Sequence, residues 1–335
     1  VGSEMCIRDS INPAYFYGVF DPNDMRRDVS ITMTGSNGKG VEKLIPFVPN
    51  SKAEGGGLTL NKWDENRQAN PWVAAQRKSG INGPYMRMSE VYLGYAEVCA
   101  ALGDVVTGKQ YLKTVRERSF PQGLANTDAF IASFGNDLVR AIIEERGFEY
   151  AGEGDRRWTL IRSGYLPEDI KRIKDMTKAM MDGLATKGYY EFENGNIISA
   201  YIWTKLVDAK TIYGHRLTAQ CPTDKVNDPV LYPGWRGQKD NWEGMGLNYG
   251  SSTPATNLAI KGLFEIVSEE EAASLESQGY TKVNWGIDLV DNRDEYDKYL
   301  FWDYDYVSAP IYLWPFTPNV MAAGGFTNGY GFKQE

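Results

Sequence analysis

The chain has 335 residues and a formal charge of −8, from 36 Lys and Arg against 44 Asp and Glu. Hydrophobic residues make up 42% of it, which excludes wholesale disorder, and the acid excess argues against a sequence-independent nucleic-acid binder. The single histidine, His215, argues against histidine catalysis and against a multi-histidine metal site. Aromatic residues reach 13%, so we expect some rings to stand on loops while others fill the core.

Residues 1–10 differ in character from the sequence that follows them. They contain no apolar core of a signal peptide and resemble a translated sequencing adaptor, so we expect them to be foreign to the natural protein. Cys6 lacks the small apolar residues that precede a lipidated cysteine. Cys99 and Cys221 are too widely separated to predict a disulfide framework or a zinc site, and we expect Cys99 to be buried. No apolar run reaches the roughly 18 residues of a membrane-spanning helix.

Two stretches of the chain contrast in regularity. Residues 11–85 are rich in turn formers, such as Asp21-Pro22-Asn23-Asp24, and predict loops and short strands. Residues 86–165 instead carry hydrophobic residues at helical spacing, so we expect a first helix with one apolar stripe. The stripe consists of Met88, Tyr92, Tyr95, Cys99 and Leu102.

Further helices are predicted after this one. A second helix contains Leu112, a third runs from Leu138 to about Ala151, and the segment Asp155–Ser163 predicts a short helix with Trp158 facing inward. The spacing of small and bulky residues in the first pair resembles a tetratricopeptide repeat, in which two helices interlock.

The carboxyl-terminal part is less regular. Pro167 lies in the first turn of a predicted helix. The sequence also predicts a β-hairpin over 189–203 that turns at Asn194-Gly195. One more helix is predicted over 268–278, and the rest of the chain from 206 onward is predicted as loop.

Several segments, taken in order along the chain, closely resemble the SusD/RagB family, which comprises surface glycan-capturing lipoproteins of Gram-negative nutrient-uptake systems. They are Phe20–Arg27, Tyr85–Glu97, Val115–Arg118, Ile142–Arg162 and Tyr312–Asn319. The resemblance implies a mainly α fold, in which a tetratricopeptide-like scaffold of helical hairpins carries an irregular, loop-rich lobe with short β-hairpins. Members of the family are much longer, so we expect this chain to be a carboxyl-terminal portion.

The resemblance also implies how the chain is divided. We expect residues 11–85 to be a remnant of the loop-rich lobe, residues 86–165 to form the helical hairpins, and residues 166–335 to complete the lobe, all packed as one domain.

The function that the resemblance implies is binding without catalysis. The protein would capture an oligosaccharide or polysaccharide at the cell outer membrane, without a cofactor, and deliver it to a SusC-like TonB-dependent transporter. The signal peptide and lipid anchor would lie outside this portion. Two alternatives stay open: a glycoside hydrolase that uses carboxylates of residues 288–305, and a protein-interaction scaffold whose aromatic residues fill the core.

A dense run of charges follows the third predicted helix. Glu145 and Glu149 lie four residues apart on one helix face, from which they could meet Arg156 or Arg157 of the next helix. A carboxylate paired with a guanidinium has a lowered pKa, which opposes the raised pKa of a general acid. We therefore interpret these four residues as a structural ion-pair clamp.

A second group of acidic residues, interleaved with tyrosines, occupies residues 288–305. Paired carboxylates beside aromatic rings are typical of glycoside hydrolases, but spacing alone does not set the distance between two carboxylates. Asp288, Asp291 and Asn292 could instead bind calcium through oxygen atoms, although the EF-hand pattern is absent. We interpret the group as a solvated acidic face, with calcium binding and catalysis as alternatives.

Polar loops rich in tryptophan supply the candidate glycan site. An indole can stack on the C–H face of a sugar while neighbouring amides and charged groups bind its hydroxyls. The candidates are Trp63, Trp72, Tyr232, Trp235 and Trp242. The alternative for each is a core position, which we expect for Trp158, Trp203 and Trp302.

Overall fold

The computed structural model describes residues 12–36, 42–44, 58–60, 62, 83–208, 256–291 and 318–325. A π-helix, Ala14–Val19, comes first in the described part of the chain. The α-helices there are α1 (Arg26–Ser30), α2 (Met88–Ala101), α3 (Val105–Glu117), α4 (Thr127–Ala132), α5 (Leu138–Glu149), α6 (Asp155–Ser163), α7 (Leu166–Lys187), α8 (Glu269–Ser277), α9 (Ile287–Asp291) and α10 (Pro318–Gly324).

The described strands are short, and all of them pair in antiparallel fashion. They are β1 (Ile31–Thr32), β2 (Thr34–Ser36), β3 (Glu42–Leu44), β4 (Thr59–Leu60), β5 (Tyr189–Glu191), β6 (Ile197–Ser199), β7 (Tyr201–Asp208), β8 (Thr256–Lys261) and β9 (Thr281–Asn284). Three sheets are pairs, β1–β4, β2–β3 and β5–β6, and the fourth has the order β8-β7-β9. The predicted mainly α fold with short β-hairpins is confirmed.

Helices α2 and α3 form an interlocked hairpin. A Cβ atom at Gly108 of α3 would lie 3.0 Å from the backbone oxygen of Ala96 and 3.1 Å from the Leu138 side chain. The two backbones therefore approach closely because position 108 carries no side chain, and α5 packs into the same contact. This arrangement agrees with the predicted pairing of the two helices.

The face that α2 turns inward is not the predicted one. Cys99 is buried as expected, but the other buried apolar residues are Leu93 and Ala96. The stripe prediction was wrong for three residues, which are exposed: Met88, Tyr95 and Leu102. Helix α2 is apolar around most of its circumference, so periodicity alone does not select a face; the small Ala96 does, because it permits close contact with α3.

Trp158 also departs from its predicted place. It is 53% exposed, whereas Thr159 and Leu160 on the same helix are buried. Arg156 and Thr159 turn towards α5, where they contact Glu144 and Arg146. Trp158 follows Arg156 by two residues, which is roughly 200° around a helix, so these polar contacts rotate the indole outward.

The main core lies between the amino-terminal segment, α7 and the strands. The ring of Phe20 stacks on Phe16 with centroids 5.4 Å apart and meets Phe148 of α5 at 4.6 Å. Predicting only loop and strand for residues 11–85 was wrong for the π-helix and for α1. Neither helix is long enough to show periodicity, and packing against this core holds the first of them.

The predicted hairpin turn is confirmed at Asn194-Gly195, between β5 and β6, but the hairpin ends at Ser199, and residues 201–203 belong to β7 of the three-stranded sheet. Gly195 has φ +83°, a conformation that favours glycine. Asn196, just past the turn, donates to the backbone oxygens of Gly18 and Phe20 at 2.9 and 2.8 Å, which fixes the hairpin to the π-helix. The helix predicted over 268–278 is α8, and Ser268 and Glu271 form a reciprocal capping box at its start.

The stretch that was predicted as loop contains the short helices α9 and α10 as well as the strands β8 and β9. Both strands pair with β7, from positions far along the chain, and such non-local pairing leaves little trace in a local pattern. Within the described ranges, no helix combines the length and the apolar character that crossing a membrane requires.

Candidate functional site

The five nominated glycan-binding residues lie outside the described residues. They are Trp63, Trp72, Tyr232, Trp235 and Trp242. Their role therefore stays a prediction, as does the core position of Trp302. Trp203 is 2% exposed, so its predicted core position is confirmed.

The acidic 288–305 region is described only in its first four residues. Asp288 and Asp291 belong to the short helix α9, and Asp291 is exposed. Asn292 and the remaining carboxylates lie outside the described residues. In the part of the chain that the structure covers, no three His, Cys, Asp or Glu side chains converge as a metal site would require.

The most developed polar cluster surrounds α5. Glu145 is fully buried and contacts Arg26 at 2.7 Å and Arg116 at 2.9 Å. Glu149, whose side chain is 2% exposed, contacts Arg26 at 3.0 Å and both Arg87 and Arg118 at 2.6 Å. Two buried carboxylates on one helix face thus meet four guanidinium groups, which we call the α5 cluster.

A second set of ion pairs lies on the other side of the same helix. Arg156 contacts Glu144 at 2.8 Å and Asp169 of α7 at 3.0 Å. Arg172 completes the set, 3.2 Å from Glu144 and 2.7 Å from Asp169. Helix α5 is therefore tied to α6 and α7 by this second set, and to α1, α3 and the start of α2 by the α5 cluster.

The pairing differs from the predicted clamp. Glu145 and Glu149 were expected to meet Arg156 or Arg157, but their contacts are with arginines from other segments, and Arg156 contacts Glu144 instead. Glu144 precedes Glu145 by one residue, about 100° around the helix, and so faces α6 where Glu145 does not. Arg157 also lies on α6.

Two of these carboxylates, Glu149 and Asp169, are held in their charged form. Burial alone would raise the pKa of Glu149, but the positive charges of Arg26 and Arg118 outweigh it and hold that pKa at about 2. Burial would also raise the pKa of Asp169, but the positive charges of Arg156 and Arg172 outweigh it and lower that pKa. A general acid needs a raised pKa, so these carboxylates act as structural anions that bind segments together.

One further polar cluster was missed by sequence reasoning. The three-stranded sheet presents Lys205, Lys261 and Lys282 on one face, beside the rings of Tyr201 and Tyr280. Part of the signal was present in β7, where Tyr201, Trp203 and Lys205 occupy alternate positions. It could be interpreted only once the register between distant strands was known.

Comparison with known proteins supports the resemblance to the SusD/RagB family. The profile of the SusD family matches residues 9–316. The SusD-like protein P25 of Formosa agariphila is 28% identical over 160 residues, which make up 48% of this chain and 26% of that protein. The aligned stretch is thus about a quarter of that relative's length. No solved structure matches the chain significantly.

Proposed function

The chain belongs to the SusD family, and on that premise we propose that it is a non-catalytic glycan-binding protein of bacterial nutrient uptake. It captures an oligosaccharide or polysaccharide at the outer face of the outer membrane, where it is held as a lipoprotein. It passes the glycan to a SusC-like TonB-dependent transporter. The observation that carries the proposal is the family match over residues 9–316.

The described structure supports a rigid scaffold in this role. The α5 cluster joins segments that are distant in sequence, with Arg26 on α1, Arg87 before α2 and Glu149 on α5. A buried carboxylate that loses its partners is strongly disfavoured, so these segments are held in one arrangement. A scaffold of this kind can present binding loops without rearranging when a ligand arrives, which keeps the entropic loss on binding small.

Glycan contact itself is assigned to the tryptophan loops. Trp63 and Trp72 form one candidate pair, and Trp235 and Trp242 form the other, with Tyr232 beside the second pair. Each stacked ring contributes about 1–3 kcal/mol, by analogy with the stacking of bases on aromatic side chains. Capture of the glycan then needs only an aromatic ring to stack on and polar groups around it, and delivery needs rapid release.

An exposed apolar stripe on α2 supports the participation of a protein partner. Its residues recur every three or four positions along the outer face of the helix: Met88, Val91, Tyr95, Val98 and Leu102. Contiguous exposed apolar surface of this kind is typical of protein–protein contact sites. In this proposal the helical hairpins, and not the tryptophan loops, face the transporter.

Isothermal titration with a glycan that the protein binds tests the site. The double variants Trp63→Ala/Trp72→Ala and Trp235→Ala/Trp242→Ala are compared with wild type. We expect at least one of them to bind the glycan at least tenfold more weakly. Trp158→Ala is the matched control, because that indole is exposed on α6 and is assigned no role in binding. Unchanged affinity in both double variants would remove the tryptophan loops from the site.

A further inference from the structure

The two faces of the β8-β7-β9 sheet differ in chemistry. Ile202, Leu258 and Ile260 are buried and belong to the main core. Residues at alternate positions point to the other face, where Trp203 of β7 is directly opposite Lys261 of β8 and Lys282 of β9. The sheet therefore packs on the core with one side and presents lysines on the other.

Aromatic rings accompany these lysines. The ammonium of Lys282 lies 4.5 Å from the centroid of the Tyr201 ring, and that of Lys261 lies 5.1 Å from the centroid of Tyr280. Lys205 is 5.8 Å from the same Tyr280 ring, and it donates to the backbone oxygen of Gln278 at 2.7 Å. We name Lys205, Lys261, Lys282, Tyr201 and Tyr280 the lysine face.

No carboxylate among the residues that the structure describes pairs with the positive charges of the lysine face. Among the described residues, none of its three ammonium groups forms an ion pair, although the chain as a whole has a formal charge of −8. Exposed lysines elsewhere do find acidic partners, such as Lys113 with Glu117 and Lys171 with Asp175. Three like charges held together without acids form a local anion-attracting surface.

The outer part of this face is open to solvent, whereas Trp203, between Lys261 and Lys282, is 2% exposed and has its ring 5.8 Å from the ammonium of Lys282. Lys261 and Lys282 are exposed and Tyr201 is 39% exposed. Because these lysines lie on the strands that flank β7, their backbones are about 10 Å apart, twice the spacing of neighbouring strands. That separation is comparable to the length of a disaccharide, so anionic groups one disaccharide apart along a polysaccharide can each meet one lysine.

We propose that the lysine face binds an anionic polysaccharide, through the carboxylate of a uronic acid or through a sulfate ester. The ammonium groups neutralise the anions, and the rings of Tyr201 and Tyr280 contact the C–H faces of the sugars. The overall negative charge disfavours nucleic acid and anionic membranes, which carry a far denser array of charge. The inference rests on the proposed function and adds to it the chemical class of the glycan.

The test compares polymers that differ only in charge. Affinity electrophoresis and titration use dextran sulfate against dextran for the sulfate ester, and polygalacturonate against its methyl ester for the carboxylate. We expect wild type to bind at least one charged polymer tenfold or more tightly than its neutral counterpart. The charged polymer that binds identifies the source of the anion.

Variants assign the binding to this surface. The triple variant Lys205→Gln/Lys261→Gln/Lys282→Gln is expected to lose at least tenfold in affinity for the charged polymer, while the triple Arg variant at the same positions keeps most of it. Lys113→Gln/Lys171→Gln/Lys178→Gln removes the same charge from exposed helix positions and should bind as wild type does. Circular dichroism verifies that every variant is folded.

Three results would overturn the inference. The first is the absence of binding to both charged polymers. If a neutral glycan still binds, only the inference about the lysine face is wrong; if none of the polysaccharides binds, the proposed function is contradicted as well. The second is an equal loss in both triple Gln variants, which would indicate a general charge effect. The third is equally tight binding of a single-stranded oligonucleotide or of anionic vesicles, lost in the lysine-face variant, because the surface would then recognise charge and not sugar.

Discussion

Replacing Glu149 by Gln removes the charge at the centre of the α5 cluster while keeping the shape of the side chain. The folded protein holds the pKa of Glu149 at about 2, against an ordinary value of 4.5. Each pH unit of such a difference corresponds to about 1.4 kcal/mol, so the ionised carboxylate stabilises the fold by about 3 kcal/mol at neutral pH. The variant should be less stable than wild type by that amount.

The dependence on pH distinguishes this effect from general damage. Because the pKa of Glu149 is lower in the folded state than in the unfolded chain, its stabilisation is fully present above about pH 4.5 and is lost as the pH falls through about 2. The stability difference between wild type and Glu149→Gln should therefore fall from about 3 kcal/mol at pH 7 to about half of that at pH 3.

Urea unfolding at several pH values measures this difference, with Glu117→Gln as the control. Glu117 pairs with Lys113 across one exposed helix turn, and such pairs contribute only about 0.3–0.5 kcal/mol. A destabilisation of Glu149→Gln below about 1 kcal/mol at pH 7, or one that stays constant between pH 3 and pH 7, would refute the reasoning from buried ion pairs.

Two further predictions concern packing and are measured by thermal or urea unfolding. Gly108→Ala should destabilise the protein by about 1–3 kcal/mol because the new methyl group meets α2. In Gly94→Ala the new methyl group meets nothing within 4 Å, so this variant should be more stable than wild type by up to about 1 kcal/mol. Equal effects of the two substitutions would contradict the close α2–α3 contact. Trp203→Ala should cost about 3–5 kcal/mol and Trp158→Ala less than about 1 kcal/mol, since Trp203 is buried and Trp158 exposed; a larger cost at Trp158 would contradict its outward orientation.

The sequence predicted the helical part of the fold well because that part is built from local signals. Periodic hydrophobic residues, the proline at position 167 and the Asn194-Gly195 turn each act within a few residues, and the predicted helices and the hairpin are present. What periodicity did not predict was the inward face of α2, because Met88 and Leu93 are both apolar and only the partner helix decides which of them is buried.

The polar part of the structure was predicted only in outline. The segments around Arg26, Arg87 and Glu149 were each identified by resemblance, but that they meet in one cluster depends on long-range packing. Likewise, Lys261 and Lys282 become neighbours of Trp203 only through strand pairing. Ion-pair partners and sheet faces are set by tertiary geometry, which a single sequence does not encode in any local pattern.

The central claim is that this protein binds glycan without cleaving it, and one measurement tests both parts. Wild-type protein is titrated with a polysaccharide in a calorimeter, and the same sample is then assayed for newly released reducing ends after prolonged incubation. The account predicts saturable heat with no increase in reducing ends. A steady release of reducing ends that follows protein concentration would contradict it and favour hydrolysis by carboxylates of residues 288–305.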